Sequence, residues 1–246
     1  MTQSPADRAS EDLVDRLVQL LRQGRGSEVP SIVAARPDPL ATAAAFNTTV
    51  KCLYRQHHDV VNMIIAGTMG LAYCHDQASL VPDKAMELKM LGKAIAFNTA
   101  VNCWPGWGDA GIVITAAEIA RGLQLALASR DLARELALGP RERGTADWLV
   151  GALELAAGRP VAAGEAFARA EAAFIAADPT APNVLLAQGY GALARKAQPH
   201  SRAQGAALLD DIIDRLRLAG SKEAAFFAGQ LVTADALLLG AQRPGG

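Results

Sequence analysis

The chain has 246 residues, 51% of them hydrophobic, which is enough to bury a substantial core and excludes disorder as a starting assumption. Its 24 basic and 25 acidic residues leave a formal net charge of -1, so no field gathers nucleic acid or an anionic membrane, and neither is expected as a partner. Ala and Leu carry the apolar content while aromatics are only 5%, a balance that favours close helix packing over a sheet and sets the expected class as all-α.

The opening residues, Met1 to Arg16, carry acids and lack an apolar core of about seven residues, so they do not read as a secretory signal. The first helix takes Ser10 as its cap, Glu11 and Asp12 in its first turn, and a stripe of Leu13, Val14, Leu17, Val18, Leu20 and Leu21 that closes at Gly24. A short helix from about Ser27 stops before Pro37-Asp38-Pro39. Residues 1–37 are thus expected as an N-terminal helical extension or cap, and residues 38–246 as a repeat domain.

From Leu40 to Gly240 helical segments alternate with breaks at His57-His58-Asp59, Trp104 to Asp109, Gly158-Arg159-Pro160, Asp178 to Pro182 and Gly220-Ser221. The run from Val60 to Cys74 carries no formal charge, but at about 15 residues it is shorter than the roughly 20 of a bilayer crossing and reads as a buried helix. Cys52, Cys74 and Cys103 form no CxxC pair and suit the core of a protein in the reducing cytoplasm.

Ala45 to Cys52 matches Ala96 to Cys103 at six of eight positions, and the match continues into Gly70-Leu71 against Gly122-Leu123. Each copy is a helix, a turn and a second helix, repeating at about 50 residues. A further hairpin runs through Trp148-Leu149-Val150-Gly151, the turn Gly158-Arg159, then Ala163, Phe167 and Ala170, ending at Asp178-Pro179. This pattern resembles a tetratricopeptide repeat, most clearly over residues 145–179. In such a repeat Gly151 and Ala163 let the two helices approach, and Phe167 fills the space between neighbouring hairpins. Another hairpin passes through Gly189, Tyr190 and Ala192 into Leu208, Leu209, Ile212, Ile213 and Leu216, and a last helix spans Ser221 to Gly240. The resemblance implies a right-handed α-solenoid of stacked antiparallel hairpins, about 10–12 helices in all.

Gly106-Trp107-Gly108-Asp109-Ala110-Gly111 fits the dinucleotide spacing GxGxxG but has a helical unit before it and no strand, so it reads as a hairpin turn. Trp104 and Trp107 form an aromatic corner that either anchors two helices, with the Trp N–H given to a carbonyl, or edges a ligand pocket. His57-His58-Asp59 and Cys74-His75-Asp76 bracket one helix too far apart to share a metal and read as caps and solvated helix ends. No nucleophile, base and orienting group come together in the sequence, and neither a cofactor nor a metal is expected.

The remaining candidates are Asn47 with Lys51 and Asn98 with Asn102, each pair one turn apart on the first helix of a duplicated hairpin. The resemblance implies a concave surface there that holds a peptide; the competing reading has the asparagines bonding to backbone at helix breaks. The expectation is therefore a non-catalytic module that binds a protein or peptide. Its alternatives are a helical enzyme or small-ligand sensor with a pocket near Trp104 to Trp107, and a homo-oligomer assembled through the terminal helix with Ala225, Phe226, Phe227, Leu237 and Leu238.

Overall fold

The computed structural model describes residues 5–239, and side chains from residue 11 onward. Among the described residues there is no strand, and eleven α-helices follow one another. They are α1 (Pro5–Arg22), α2 (Val29–Ala34), α3 (Pro39–Arg55), α4 (Val60–Leu80), α5 (Ala85–Val101), α6 (Ala116–Glu135), α7 (Pro140–Ala156), α8 (Pro160–Ala177), α9 (Pro182–Lys196), α10 (Arg202–Leu218) and α11 (Lys222–Leu238).

The chain starts its helices by a few local devices. Helices α3, α7, α8 and α9 each begin on a proline, whose fixed φ and missing N–H suit the first helical position. Asp38, Asp59 and Ser221 accept hydrogen bonds from the backbone N–H of Leu40, Asn62 and Ala224. Thr115 and Glu118 cap α6 reciprocally, Thr115 N donating to Glu118 Oε2 at 2.6 Å and Glu118 N to Thr115 Oγ1 at 3.3 Å. After α7 the chain turns at Gly158, whose φ of 73° lies in the left-handed region that a Cβ disfavours.

Several boundaries differ from those read in the sequence. Helix α1 begins at Pro5, so Ser10 is inside it rather than its cap; Ser10's side chain, like Gly240, lies outside the described residues. Helix α4 runs on to Leu80, which leaves Cys74-His75-Asp76 within the helix instead of at its end. Breaks at Val81-Pro82 and Gly139-Pro140 are not among those read in the sequence, although Pro82-Asp83 and Gly139-Pro140 are turn-forming pairs. The segment from Asn102 to Thr115 is longer than a hairpin turn: one 3-10 turn at Pro105–Trp107, then irregular chain up to α6.

The chain divides into two compact units that are not contiguous in sequence: Met1–Asn102 with Gln124–Leu136, and Cys103–Leu123 with Ala137–Gly246. In the first, α1 packs on α3 and α4, and α3, α4 and α5 pack pairwise. Helix α4 meets its neighbours through two glycines one turn apart. A Cβ at Gly70 would lie 2.8 Å from Phe46 Cβ on α3, and one at Gly67 would lie 2.1 Å from Thr99 Oγ1 on α5. The last three turns of α6 join this unit, with Ser129 Oγ donating to Lys93 O at 3.2 Å and Lys89 Nζ reaching Glu135 Oε1 at 2.6 Å.

In the second unit α7, α8, α9, α10 and α11 pack in succession. In the hairpin of α7 and α8, Ala163 and Phe167 are buried, and a Cβ on Gly151 would sit 2.6 Å from the Phe167 ring. Phe167 also meets the Tyr190 ring of α9 at 5.2 Å, so one side chain joins its own hairpin to the next. Gly205 lets α10 touch the end of α9, for a Cβ there would fall 2.3 Å from Lys196 N and 2.8 Å from Ala192 O.

These contacts separate two kinds of helical glycine. Gly205→Ala should destabilise the protein by about 1 to 3 kcal/mol, since the clash is with backbone that cannot yield. Gly164→Ala, where a Cβ meets nothing within 4 Å, should instead stabilise by up to about 1 kcal/mol through helix propensity. Urea melts of the two variants check both signs, and equal effects would refute this division.

Candidate functional site

The four polar residues singled out by the duplication occupy three settings. Asn98 Nδ2 donates to Asn47 Oδ1 at 2.8 Å, a half-buried bond that links α5 to α3 across 51 residues of sequence. Neither solvent display nor a bond to backbone describes the pair: each asparagine is the other's partner. Lys51, one turn beyond Asn47, is exposed, and Asn102 is the half-buried residue that closes α5. The duplicated helices thus pack side by side, with their equivalent asparagines brought together.

The aromatic corner is a packed core. Trp104 is wholly buried, and its ring lies near those of Trp107, Trp148 and Tyr190 at 4.9, 6.0 and 5.7 Å in edge-to-face arrangements. A Cβ on Gly106 would lie 2.1 Å from the Trp104 ring, so that glycine is required by the ring above it. The expected bond from the Trp104 N–H to a carbonyl is not formed. Nε1 of Trp104 and Nε1 of Trp148 are both buried without a hydrogen-bond partner, within a cluster of neighbouring aromatic rings. Tyr190 is satisfied, its hydroxyl accepting from Gln230 Nε2 at 3.1 Å, and burial pushes its phenol well above the ordinary range.

Asp59 caps α4, while Cys74 is buried and His75 exposed on that helix. Among the described residues no three His, Cys, Asp or Glu side chains come together as a metal site. Burial pushes the Cys74 thiol up to about 12, and burial with a smaller contribution from Glu118 does the same for Cys103. Cys52 corrects the expectation of three core thiols: it is half-buried, with Sγ 3.3 Å from Gln56 Oε1.

Two open cavities occupy equivalent places in the order of helices. In the first unit a cavity of about 610 Å³ is walled by α4, α5 and α6; Leu71, Ala72, Cys74, Ala78, Gly92 and Leu132 make it mainly apolar, and the Lys89–Glu135 ion pair stands at its edge. In the second unit a groove of about 560 Å³ is walled by α8 and α10 with α9 between them. Its depth comes from missing side chains: a Cβ at Gly164 or at Gly191 would meet nothing within 4 Å. Phe167, Ala187, Leu208 and Ile212 supply apolar lining, Gln188 Nε2 donates to Glu171 Oε1 at 2.7 Å, and Arg195 and Arg215 add two cations. Neither cavity is lined by Trp104, Trp107 or any of the four duplicated polar residues.

The sequence carried no clear signal for the groove, because Gly164 and Gly191 look the same on paper as Gly151 and Gly189. The latter two receive Phe167 and Leu231; the former two face open space. No family model, no curated protein and no solved structure matches the chain.

The cysteine environments give a direct check on these placements. Alkylation of the native protein near pH 8 should modify Cys52 first and leave Cys74 and Cys103 protonated and unmodified until the chain unfolds. Peptide mapping by mass spectrometry after timed labelling reads the order, and early modification of Cys103 would refute its burial.

Proposed function

We propose that the protein is a non-catalytic interaction module, a right-handed stack of tetratricopeptide-like hairpins, which binds a segment of a partner protein in the groove between α8, α9 and α10. The observation that carries this reading is the groove itself: an open apolar trough with a glycine on α8 and another on α9, edged by a Gln–Glu pair and two arginines. Such a trough takes apolar side chains on its floor and leaves polar groups at its edges for backbone or charged groups of a peptide. Two features support the stacked-hairpin part of the reading, namely the Asn47–Asn98 link between first helices and the Phe167 bridge to the next hairpin. The three cysteines, all free, suit a reducing compartment such as the cytoplasm.

The peptide site is assigned to this groove in preference to Asn47, Lys51, Asn98 and Asn102. The two asparagines already hold one another, and a ligand would have to displace that bond. A second reading rests on the cavity of α4, α5 and α6, whose volume and apolar lining fit a small apolar ligand with a polar end at Lys89 and Glu135.

Panning a random peptide library on the intact protein tests the assignment. Selected peptides should bind the wild type and lose at least about tenfold in affinity for Gly191→Phe, whose ring fills the groove, with thermal stability retained. The variant with Asn47, Lys51, Asn98 and Asn102 all changed to Ala should keep the peptides. Peptides insensitive to Gly191→Phe but lost by that fourfold variant would move the site to α3 and α5, and failure to select any peptide would remove the peptide-binding function.

A further inference from the structure

The groove on α8, α9 and α10 has a regular build. Helices α8 and α9 are joined by the short link 178–181 and run antiparallel. Glu171 of α8 and Gln188 of α9 form one rung between them, with Gln188 Nε2 donating to Glu171 Oε1 at 2.7 Å. Two helical turns take up about seven residues, so a step of that length back along α8 and forward along α9 keeps to the same two faces and moves about 10 Å along the groove. That step leads from Glu171 to Gly164 and from Gln188 to Arg195, and both of these residues line the groove.

The two rungs differ on the α8 side. At the first, the Gln188 amide has the Glu171 carboxylate. At the second, the register sets Arg195 opposite a glycine, where a Cβ would meet nothing within 4 Å. The remaining polar side chains of the groove are held within the chain: Gln198 Nε2 donates to Ala194 O at 3.1 Å, and Arg215 Nη1 lies 3.6 Å from Asp211 Oδ2. Arg195 is exposed, and among the described residues its guanidinium has no partner. Its fork of donors matches the two oxygens of a carboxylate. Between the rungs α9 presents Gly191, whose missing side chain joins the space beside Arg195 to the apolar lining of Phe167, Ala187 and Ile212.

We propose that the groove selects an apolar segment bearing one Asp or Glu, whose carboxylate takes the place opposite Arg195 that Gly164 leaves empty. This rests on the assignment of the peptide site to the groove. The guest carboxylate completes the second rung as Glu171 completes the first. About three extended residues, at about 3.3 Å each, span the distance between the rungs and lay their apolar side chains over Gly191. A side-chain carboxylate suits this place better than a chain terminus: Arg195 is exposed and is the one cation there, and the Gln198 amide already donates to the Ala194 carbonyl.

A random library of acetylated, amidated peptides, which carry no terminal charge, tests the claim on the intact protein. Peptides that bind the wild type and are lost by Gly191→Phe are the groove binders, and they should share an Asp or Glu beside apolar residues. Changing that acid to its amide, or changing Arg195→Gln in the protein, should each weaken binding about three- to tenfold. Both changes together should weaken it no further than either alone, since they remove the same pair. Arg195→Glu should in turn favour the same peptide with Lys in place of the acid. Circular dichroism melts confirm that substitution at this exposed position leaves the fold intact. Groove binders without a shared acid, or acidic ones held equally well by Arg195→Gln, would leave the groove assignment standing and overturn the proposal. Absence of any binder sensitive to Gly191→Phe would overturn both.

Discussion

The structure depends on how closely its helices approach, and that distance is set by glycines facing larger groups. Gly70 receives Phe46, Gly67 receives Thr99, Gly151 receives Phe167, Gly189 receives Leu231, and Gly205 lies against the backbone of α9. In each case a Cβ would fall within 3 Å of its neighbour. Helices built from Ala and Leu have few large side chains to interlock, so position is held by these few large-into-small contacts. A helix glycine costs about 0.5 to 1 kcal/mol in propensity relative to Ala, a cost that burying a Phe or Leu side chain at about 1.5 to 3 kcal/mol offsets.

The same device explains where the surface is open. Gly164, Gly191 and Gly229 carry the propensity cost but receive nothing from the chain itself. Two of them deepen the groove proposed for a peptide, and the third lies on the exposed side of α11, whose other side is buried and includes Phe227, expected from the sequence to be exposed. Filled and unfilled glycines thus separate the packing of the fold from its open surface.

Much of the local architecture was legible because it depends on short-range rules. The class follows from composition, the starts at Pro160 and Pro182 from proline's backbone preference, and the Gly151–Phe167 contact from the repeat spacing. What escaped depends on residues distant in sequence. The mutual bond of Asn47 and Asn98 needs α3 and α5 to pack side by side, and a duplicated motif alone does not say that its copies touch. The grouping of Gln124–Leu136 with residues 1–102 is equally non-local, since nothing in the amphipathic pattern of α6 marks where one unit gives way to the other. That the indole N–H groups of Trp104 and Trp148 are buried without a partner depends on neighbours that a turn motif does not name.

All three tryptophans, Trp104, Trp107 and Trp148, belong to the second of the two compact units, and two of them are held away from water without a polar partner. Indole emission therefore reports on that unit alone, whereas backbone ellipticity sums over both. Unfolding curves recorded by the two optical signals will superimpose only if the units lose structure together, so the chain carries its own reporter of whether it melts in one step or two.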